Sequence, residues 1–364
     1  MRCKLSDICS YRKGKIEVKR LNNITYISTE NMLPNKGGIT EASSLPSIVL
    51  TQEYRKGDVL VSNIRPYFKK IWQAKYDGGC SNDVLVFTPN PMTDKDFLYY
   101  VLANDEFFLY SMATSKGTKM PRGDKDSIMQ YEIPDIGLDR QRKIASVLKS
   151  LDDKIQLNIA INKNLEQQAE ALYKKYFAPV DSEMQNIKTL DIFCNIFTGK
   201  KNSNAATPDG KFKFFTCSPE PLQIDSFIFD GNAIIVSGNG VYTGRTRFYS
   251  GKFDLYQRTY ACTLKEGFHS DYIFPLYWFV KLELSKKIMG GTRGSAIPYI
   301  VMNDLAKFEF ECDQNKFETY MPLFKSITEG IQANENQNET LAQLRDTLLP
   351  QLMSSELDVF AIDI

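Results

Sequence analysis

The chain has 364 residues, of which 43% are hydrophobic and 24% charged, and its formal net charge is +1. This length suits two domains, and the ordinary composition excludes a disordered or collagen-like chain. The near-zero net charge excludes a chain that is basic throughout, although local basic faces remain possible. Because no apolar run is long enough to cross a bilayer and the first residues lack the apolar core of a signal peptide, we expect a cytoplasmic protein.

Outside two long helical segments, the sequence predicts short strands and single helices. Strands are expected at 59–61, 84–87, 233–236 and 260–264, where apolar runs lie between Gly and Pro turns. Helices are expected at 97–110 and 272–288. The mixture indicates an α/β (α+β) class for both halves of the chain.

Two long segments, 139–178 and 313–355, carry apolar residues in alternating steps of four and three. This spacing predicts two helices with an apolar seam, and two asparagines in each seam would fix register and partner at a cost in stability. Matching polar positions favour a mutual pair, the alternative being two unrelated amphipathic helices on separate domains. The seam residues are Leu148, Leu151, Ile155, Asn158, Asn162, Leu165 and Leu172 in the first helix, and Phe324, Ile327, Ile331, Asn334, Asn338, Leu341 and Leu348 in the second.

The sequence repeats itself at an offset of about 176 residues. Residues 148–151 (Leu-Lys-Ser-Leu) recur as 324–327 (Phe-Lys-Ser-Ile), and the Gly-Thr-basic run at 117–119 recurs at 291–293. A parallel helix pair would need a long connection back to its start, so we expect the helices to run antiparallel. The predicted architecture is a pseudo-twofold tandem of two globular heads separated by an antiparallel coiled-coil pair.

Residue types that carry catalysis are sparse. The cysteines show no Cys-x-x-Cys spacing, and the single histidine, His269, excludes two-histidine metal motifs and lacks a neighbouring nucleophile motif. Residues 198–201 (Thr-Gly-Lys-Lys) and 238–244 contain glycine but lack the spacing of a phosphate-binding loop. We therefore expect no catalytic residue, no metal site and no cofactor on this chain.

Basic and aromatic residues alternate in several segments of both halves, which is typical of DNA contact, because Lys and Arg bind phosphates and Arg can read guanine. For each cluster taken alone, the alternative is a strand with a solvated basic face. The residues expected to contact DNA are Lys13, Lys15, Arg65, Lys69, Lys70, Lys116, Lys119 and Arg122 in the first half, and Lys200, Lys201, Lys211, Lys213, Arg245, Arg247, Arg258 and Arg293 in the second.

Together these features resemble the specificity subunit of type I restriction–modification systems. The resemblance rests on the Gly-Thr…Pro loop before each long helix, on 139–145 (Asp-Arg-Gln-Arg-Lys-Ile-Ala) and on 344–352 (Leu-Arg-Asp-Thr-Leu-Leu-Pro-Gln-Leu). The opening 4–8 (Lys-Leu-Ser-Asp-Ile), echoed at 188–192, is also typical. One departure is that the second long helix is unusually acidic for this family.

The resemblance implies target recognition domains at 1–138 and 179–312, spacer helices at 139–178 and 313–355, and a C-terminal tail at 356–364. It implies a non-catalytic subunit that reads a bipartite target in double-stranded DNA and serves phage defence. The implied partners are two modification (methyltransferase) subunits and restriction (ATP-dependent translocase/nuclease) subunits, which would bind S-adenosylmethionine, ATP and Mg. The alternative is a coiled-coil adaptor or scaffold without sequence-specific DNA binding.

Overall fold

The chain divides into two compact units, which we describe one at a time. The computed structural model describes residues 2–178, 186–289, 299–354 and 356–362. Unit 1 consists of Met1–Gln156 with Glu339–Ile364, and unit 2 of Leu157–Asn338. Each unit combines one globular region with part of each of two long helices, and this mixture of sheets and helices confirms the α+β class. Among the helices described, none is long and apolar enough to span a bilayer.

The described part of unit 1 contains ten strands, four short α-helices, the first part of one long helix and the last part of another. In chain order up to the first long helix, they are β1 (Arg2–Lys4), α1 (Leu5–Ile8), β2 (Cys9–Tyr11), β3 (Lys15–Glu17), β4 (Tyr26–Ile27), β5 (Leu50–Tyr54), β6 (Val59–Ser62), β7 (Ile71–Gln73), β8 (Gly78–Cys80), β9 (Val84–Pro89), α2 (Lys95–Ala103), α3 (Asp105–Ala113), α4 (Lys125–Ile128), β10 (Glu132–Pro134) and α5 (Leu138–Tyr176). Two four-stranded sheets have the orders β2-β9-β6-β7 and β3-β5-β8-β4, and β1 pairs separately with β10.

The core of unit 1 lies on both faces of the sheet that contains β6. Val59 and Val61 face one way, toward Phe97 of α2, whereas Leu60 faces the other way, toward Tyr54 of the second sheet. This division follows from the period of two along a strand, which sends alternate side chains to opposite faces. The start of α5 and the end of the second long helix complete the first of these cores.

The single helix predicted over 97–110 is wrong, because the chain leaves the helical conformation at Asn104. This residue is extended (φ −64°, ψ 138°), and its Oδ1 accepts the Glu106 backbone N–H at 3.1 Å. Asparagine is favoured at helix starts for this reason. The result is two short helices, α2 and α3, that meet at a cap.

Compared with unit 1, unit 2 contains one larger sheet and a longer helix in its globular region. Its elements are β11 (Ile187–Thr189), α6 (Leu190–Phe193), β12 (Cys194–Thr198), β13 (Phe212–Phe215), β14 (Leu222–Ile224), β15 (Phe229–Ser237), β16 (Thr246–Leu255), β17 (Thr259–Leu264), α7 (Ile273–Met289), α8 (Met302–Ala306), β18 (Glu309–Glu311) and α9 (Gln314–Ser354). The six-stranded sheet has the order β12-β17-β15-β16-β13-β14, and β11 pairs with β18. Its core joins α7 to residues of this sheet and of both long helices.

The internal repeat predicted from the sequence is present in the framework of the units. In unit 1, β1 and β10 are antiparallel with Cys3 opposite Ile133, and in unit 2, β11 and β18 are antiparallel with Lys188 opposite Phe310. In each unit, a short helix follows the first strand of this pair, and another short helix precedes the second strand. The globular regions differ in their sheets, because unit 1 has two four-stranded sheets where unit 2 has one six-stranded sheet.

Within each unit the two long helices run antiparallel, which confirms the direction expected from connection length. In unit 2, Asn158 Nδ2 donates to Asn338 Oδ1 at 2.9 Å and Asn334 Nδ2 donates to Asn162 Oδ1 at 2.7 Å. The partner number falls as the residue number rises, as antiparallel pairing requires. All fourteen predicted seam residues are buried or half-buried, and Asn158 is fully buried.

In both units, a hydrogen bond connects a helix of the globular region to a long helix at the same place. The helix of the globular region is α2 in unit 1 and α7 in unit 2. In unit 1 the Tyr100 hydroxyl donates to Asp152 Oδ2 at 2.8 Å, and Arg345 Nη1 donates to Asp152 Oδ1 at 2.7 Å. In unit 2, Trp278 Nε1 donates to Thr328 Oγ1 at 2.9 Å. Because buried polar groups need partners, these bonds fix how each head is mounted on its helices.

Candidate nucleic-acid interface

Each unit has a loop between two antiparallel strands that is bound to the segment preceding the short helix α4 or α8. We call residues 63–70, between β6 and β7, hairpin loop 1, and residues 238–245, between β15 and β16, hairpin loop 2. Gly123 N–H donates to Asn63 O at 3.2 Å in unit 1, and Ile300 N–H donates to Gly238 O at 2.8 Å in unit 2. The two loops therefore occupy equivalent places, each within its own unit.

Hairpin loop 1 is held in an unusual backbone conformation. Arg65 (φ 51°) and Lys69 (φ 49°) are left-handed, and a 3-10 turn, Pro66–Phe68, lies between them. Asn35 and Lys36, also left-handed, donate their N–H groups to Phe68 O at 2.8 Å and to Lys69 O at 2.9 Å. Non-glycine residues seldom adopt this conformation, and such strain persists only where the surroundings over-determine it. The loop is thus fixed in one shape.

Asp105, at the start of α3, clamps two cations of this region. Its carboxylate lies 3.0 Å from Lys36 Nζ and 2.7 Å from Lys69 Nζ. Burial would raise the pKa of Asp105, but the hydrogen bonds from Lys69 and Lys36 outweigh it and lower that pKa. Lys70 Nζ donates to Thr29 O at 2.6 Å, and burial lowers the pKa of Lys70. Lys69 and Lys70 therefore support the loop, and both residues are only half-exposed.

The segment beside hairpin loop 1 carries three of the predicted DNA-contacting cations. Lys116 is paired with Asp124, whose pKa falls to about 2 because of that hydrogen bond and further ones from Ser127. Arg122 Nη2 lies 3.1 Å from Asp83 Oδ1. Lys119 is exposed and has no acidic partner in the described part of the chain, so it is the cation of this segment most available to a phosphate.

Lys13 and Lys15 lie at the same end of the β2-β9-β6-β7 sheet as hairpin loop 1. They line a shallow cleft of about 220 Å³ together with Lys125. Their neighbour Arg12 is excluded from such a role, because it forms two hydrogen bonds with Asp58, and these raise the pKa of Arg12. Lys13 and Lys15 are exposed, and their ammonium groups are available to an anion.

Hairpin loop 2 is also ordered by backbone hydrogen bonds. Gly240 and Gly244 have φ values of 81° and 83°, which favour glycine. Gly244 N–H donates to Ser237 O at 2.8 Å, and Arg245 N–H donates to Tyr242 O at 3.0 Å. The Arg245 guanidinium lies 4.9 Å from the centre of the Tyr242 ring, a cation–π distance. Arg245 is exposed at the base of the loop.

The other predicted cations of unit 2 divide into structural and accessible ones. Lys201 donates to Asp254, a fully buried carboxylate, and to Ser226, so it stabilises the core. Arg247 donates to Ser218 O at 2.7 Å and to Pro219 O, and burial lowers its pKa. Lys211 precedes β13, and Lys213 lies within this strand, opposite Phe253 at the end of β16 that is remote from hairpin loop 2.

Two accessible cations remain near hairpin loop 2. Arg258 is exposed and its carbonyl oxygen accepts Gly238 N–H at 2.9 Å, which places it beside the loop. Lys200 is exposed at the end of β12. The last predicted contact, Arg293, lies outside the residues that the structure describes. Of the predicted set in unit 2, Lys200, Arg245 and Arg258 have both position and exposure suited to an anion.

The apolar residues at the tips of the hairpin loops are exposed and were not among the site residues predicted from sequence. Tyr67 is 48% and Phe68 37% exposed in loop 1, and Val241 is 93% and Tyr242 42% exposed in loop 2. The signal was present in the sequence, as aromatic residues interleaved with basic ones, but only cations were selected from it.

The described residues include the single histidine and all seven cysteines of the chain. They contain no group of three His, Cys, Asp or Glu side chains able to hold a metal ion. His269 caps a 3-10 turn, where its Nδ1 accepts Asp271 N–H at 3.3 Å. All seven cysteines are free thiols, and burial raises the pKa of Cys9, Cys80 and Cys194 to about 12, which leaves these thiols protonated.

Comparison with known proteins gives consistent relatives. Residues 1–167 match the family model of the type I restriction modification DNA specificity domain. The chain is 39% identical over 180 residues to the type I restriction enzyme EcoDI specificity subunit of Escherichia coli, covering 47% of this chain and 38% of that protein. It is 31% identical over 187 residues to the HindI specificity subunit of Haemophilus influenzae, covering 49% and 40%. The matches thus span about two fifths of those relatives' length.

The fold has a solved counterpart. The structure is similar to that of a type I restriction–modification S subunit from M. genitalium, with a TM-score of 0.59 and coverage of 97% of this chain and 96% of the other. At 15% identity this likeness concerns the fold. The family model matches the first 167 residues, the two curated specificity subunits match about half of this chain, and the solved S subunit shares its fold.

Proposed function

We propose that this chain is the non-catalytic DNA-recognition subunit of a type I restriction–modification complex. The globular region of each unit reads one half of a bipartite target in double-stranded DNA. The observation that carries the proposal is the recurrence, at the same place in both units, of an ordered hairpin loop with exposed cations beside it. Two different loops on one repeated framework suit a protein that reads two different half-sites.

The division into recognition domains and spacer helices belongs to the same proposal. Residues 1–138 and 179–312 act as target recognition domains, and 139–178 and 313–355 act as spacer helices with a C-terminal tail at 356–364. The spacer helices bind two modification subunits, and restriction subunits join through them. The proposed complex acts in the cytoplasm, and methyl transfer and cleavage are assigned to the partner subunits.

Gel-shift titration tests the proposal most directly. The purified chain, with and without a modification subunit, is titrated on a pool of random duplexes, and bound DNA is sequenced. We expect an enriched sequence in two parts separated by a fixed gap. Enrichment of no sequence, with normal assembly of the complex, would contradict the proposal and support the adaptor alternative.

Single cations refine the test. Lys119→Ala should weaken binding equally on all sequences and reduce the slope of log affinity against log salt by about one unit, because one phosphate contact is lost. Lys201→Ala is a matched control, since its ammonium group is bound to the buried Asp254; it should lower stability without changing that slope. Equal slopes for wild type and Lys119→Ala would remove Lys119 from the interface.

A further inference from the structure

We propose that the apolar tips of the two hairpin loops, Tyr67–Phe68 and Val241–Tyr242, contact base edges of the target and set its sequence, whereas the surrounding cations bind phosphates. The inference rests on the proposed function and deepens it. It moves specificity from the cations, which the sequence favoured, to side chains without charge.

The first argument is placement. Single exposed hydrophobic residues are common on protein surfaces and need no explanation. Here, however, exposed apolar residues recur at equivalent points of a repeated framework, at the turn of the hairpin β6–β7 and at that of β15–β16. Val241, at 93% exposure, is the most exposed large hydrophobic residue of those described. Recurrence in two otherwise different heads indicates a shared task.

The second argument is rigidity. In loop 1 the rings of Tyr67 and Phe68 lie 4.7 Å apart, centre to centre, on the 3-10 turn that Arg65 and Lys69 enclose in left-handed conformations. Arg65 N–H also donates to Pro121 O at 2.8 Å, and its Nε is buried with no hydrogen-bond partner among the described residues. A preorganised loop loses little conformational entropy when it binds, so its apolar surface contributes to affinity more fully.

The third argument is charge, which selects DNA among possible occupants. Lys119 and Arg122 lie in the segment bound to loop 1, and Arg245 and Arg258 lie beside loop 2. Apolar tips surrounded by cations match a surface whose rim is phosphate and whose groove floor carries thymine methyl groups and base edges. An apolar protein partner would leave Lys119, Arg245 and Arg258 without counter-charges.

The chemistry of the tips differs between units, as two half-sites require. Loop 1 offers two aromatic rings, which can lie against a base step or wedge between bases. Loop 2 offers one aliphatic and one aromatic side chain, and Val241 has the size and apolarity to touch a thymine methyl group. The two half-sites should therefore differ in base composition at the contacted step.

The test uses the complex of the full chain with its modification subunits, and its readout is the set of methylated sites in a random-sequence DNA library. Tyr67→Ala and Phe68→Ala should each relax one or two adjacent positions of one half-site by roughly tenfold in relative methylation. Val241→Ser and Tyr242→Ala should do the same in the other half-site only. The salt dependence of binding should stay as in wild type, because no phosphate contact is lost.

Controls come from exposed apolar residues at the opposite ends of the same sheets. Met92, 72% exposed, follows the end of β9 that is remote from loop 1, and Ile228, 45% exposed, precedes β15 at the end remote from loop 2. Met92→Ala and Ile228→Ala should leave the target unchanged. Should an alanine variant fail to assemble, Phe68→Leu and Tyr242→Leu keep an apolar side chain and should change the preferred bases.

The outcomes separate the two proposals. A wild-type complex that methylates without sequence preference would refute the proposed function and the inference with it. A specific wild-type complex whose tip variants keep the same target would refute the inference alone. Tip variants that weaken all sequences equally and reduce the salt slope would also overturn it, because they would place these residues at the phosphates.

Discussion

The ion pair between Arg345 and Asp152 gives the sharpest test of how the globular region of unit 1 is held against the two long helices. Arg345 Nη1 lies 2.7 Å from Asp152 Oδ1, the side chains are 20% and 24% exposed, and Asp152 also accepts the Tyr100 hydroxyl. Exposed ion pairs contribute about 0–1 kcal/mol, and breaking a buried pair costs about 3–5 kcal/mol. For this mostly covered pair we expect Arg345→Ala to lower the free energy of unfolding by about 2 kcal/mol.

The internal repeat supplies a rescue variant. At the offset of the repeat, Asp152 and Arg345 correspond to Thr328 and Ala169 of unit 2, where Thr328 accepts the bond from the head helix and Ala169 is fully buried. Adding Asp152→Thr to Arg345→Ala removes the carboxylate that would otherwise lose its counter-charge. The hydroxyl introduced at position 152 can still accept a hydrogen bond from the Tyr100 hydroxyl. We therefore expect the double variant to recover much of the lost stability.

Urea unfolding of the wild type, both single variants and the double variant measures the coupling, which should exceed about 1 kcal/mol. Arg142→Ala is the control, because its partner Asp139 lies 3.8 Å away and both side chains are largely exposed; its effect should stay within about 0.5 kcal/mol. A neutral Arg345→Ala, or single effects that simply add, would refute the view that this pair holds the head.

Trp278→Phe should lower the stability of unit 2 by about 1–3 kcal/mol in the same assay, because the buried Thr328 hydroxyl loses its donor. The pKa of Asp105 in the folded protein is lower than its ordinary value of 3.8. The contribution of Asp105 to the stability of loop 1 is therefore present above pH 3.8 and is lost as the pH falls through the folded pKa. Asp105→Asn should remove this acid-dependent loss of order in loop 1. Hydrogen exchange of loop 1 against pH would detect this, and identical profiles for variant and wild type would contradict it. In the proposed function, the long helices would set the gap between the two half-sites. Deleting the facing heptads 159–165 and 331–337 should then shorten that gap by up to about three base pairs, since seven helical residues span about 10.5 Å. An unchanged gap in an active complex would show that the length of these helices does not set the gap.

Local periodicity made much of the framework predictable from sequence. The four-three spacing of apolar residues predicted helices at 139–178 and 313–355, and the structure has Leu138–Tyr176 and Gln314–Ser354. The strands at 84–87 and 260–264 also formed, within Val84–Pro89 and Thr259–Leu264. These features depend on side chains a few positions apart, so the sequence by itself determined them, together with the repeat and the antiparallel direction of the helices.

The roles of individual cations were decided only by the tertiary structure. Lys201 and Lys119 were both predicted from sequence as DNA-contacting residues. In the structure, Lys201 is bound to the buried Asp254, fifty-three residues away in the chain, whereas Lys119 is exposed. Whether a lysine supports the core or faces solvent depends on acidic groups brought near it by folding, which no local pattern encodes. The left-handed conformations of Arg65 and Lys69 have the same origin, because Arg65 N–H donates to Pro121 O and Lys69 O accepts the N–H of Lys36. The sequence determined the framework and its charge, and folding decided which of the basic side chains are exposed.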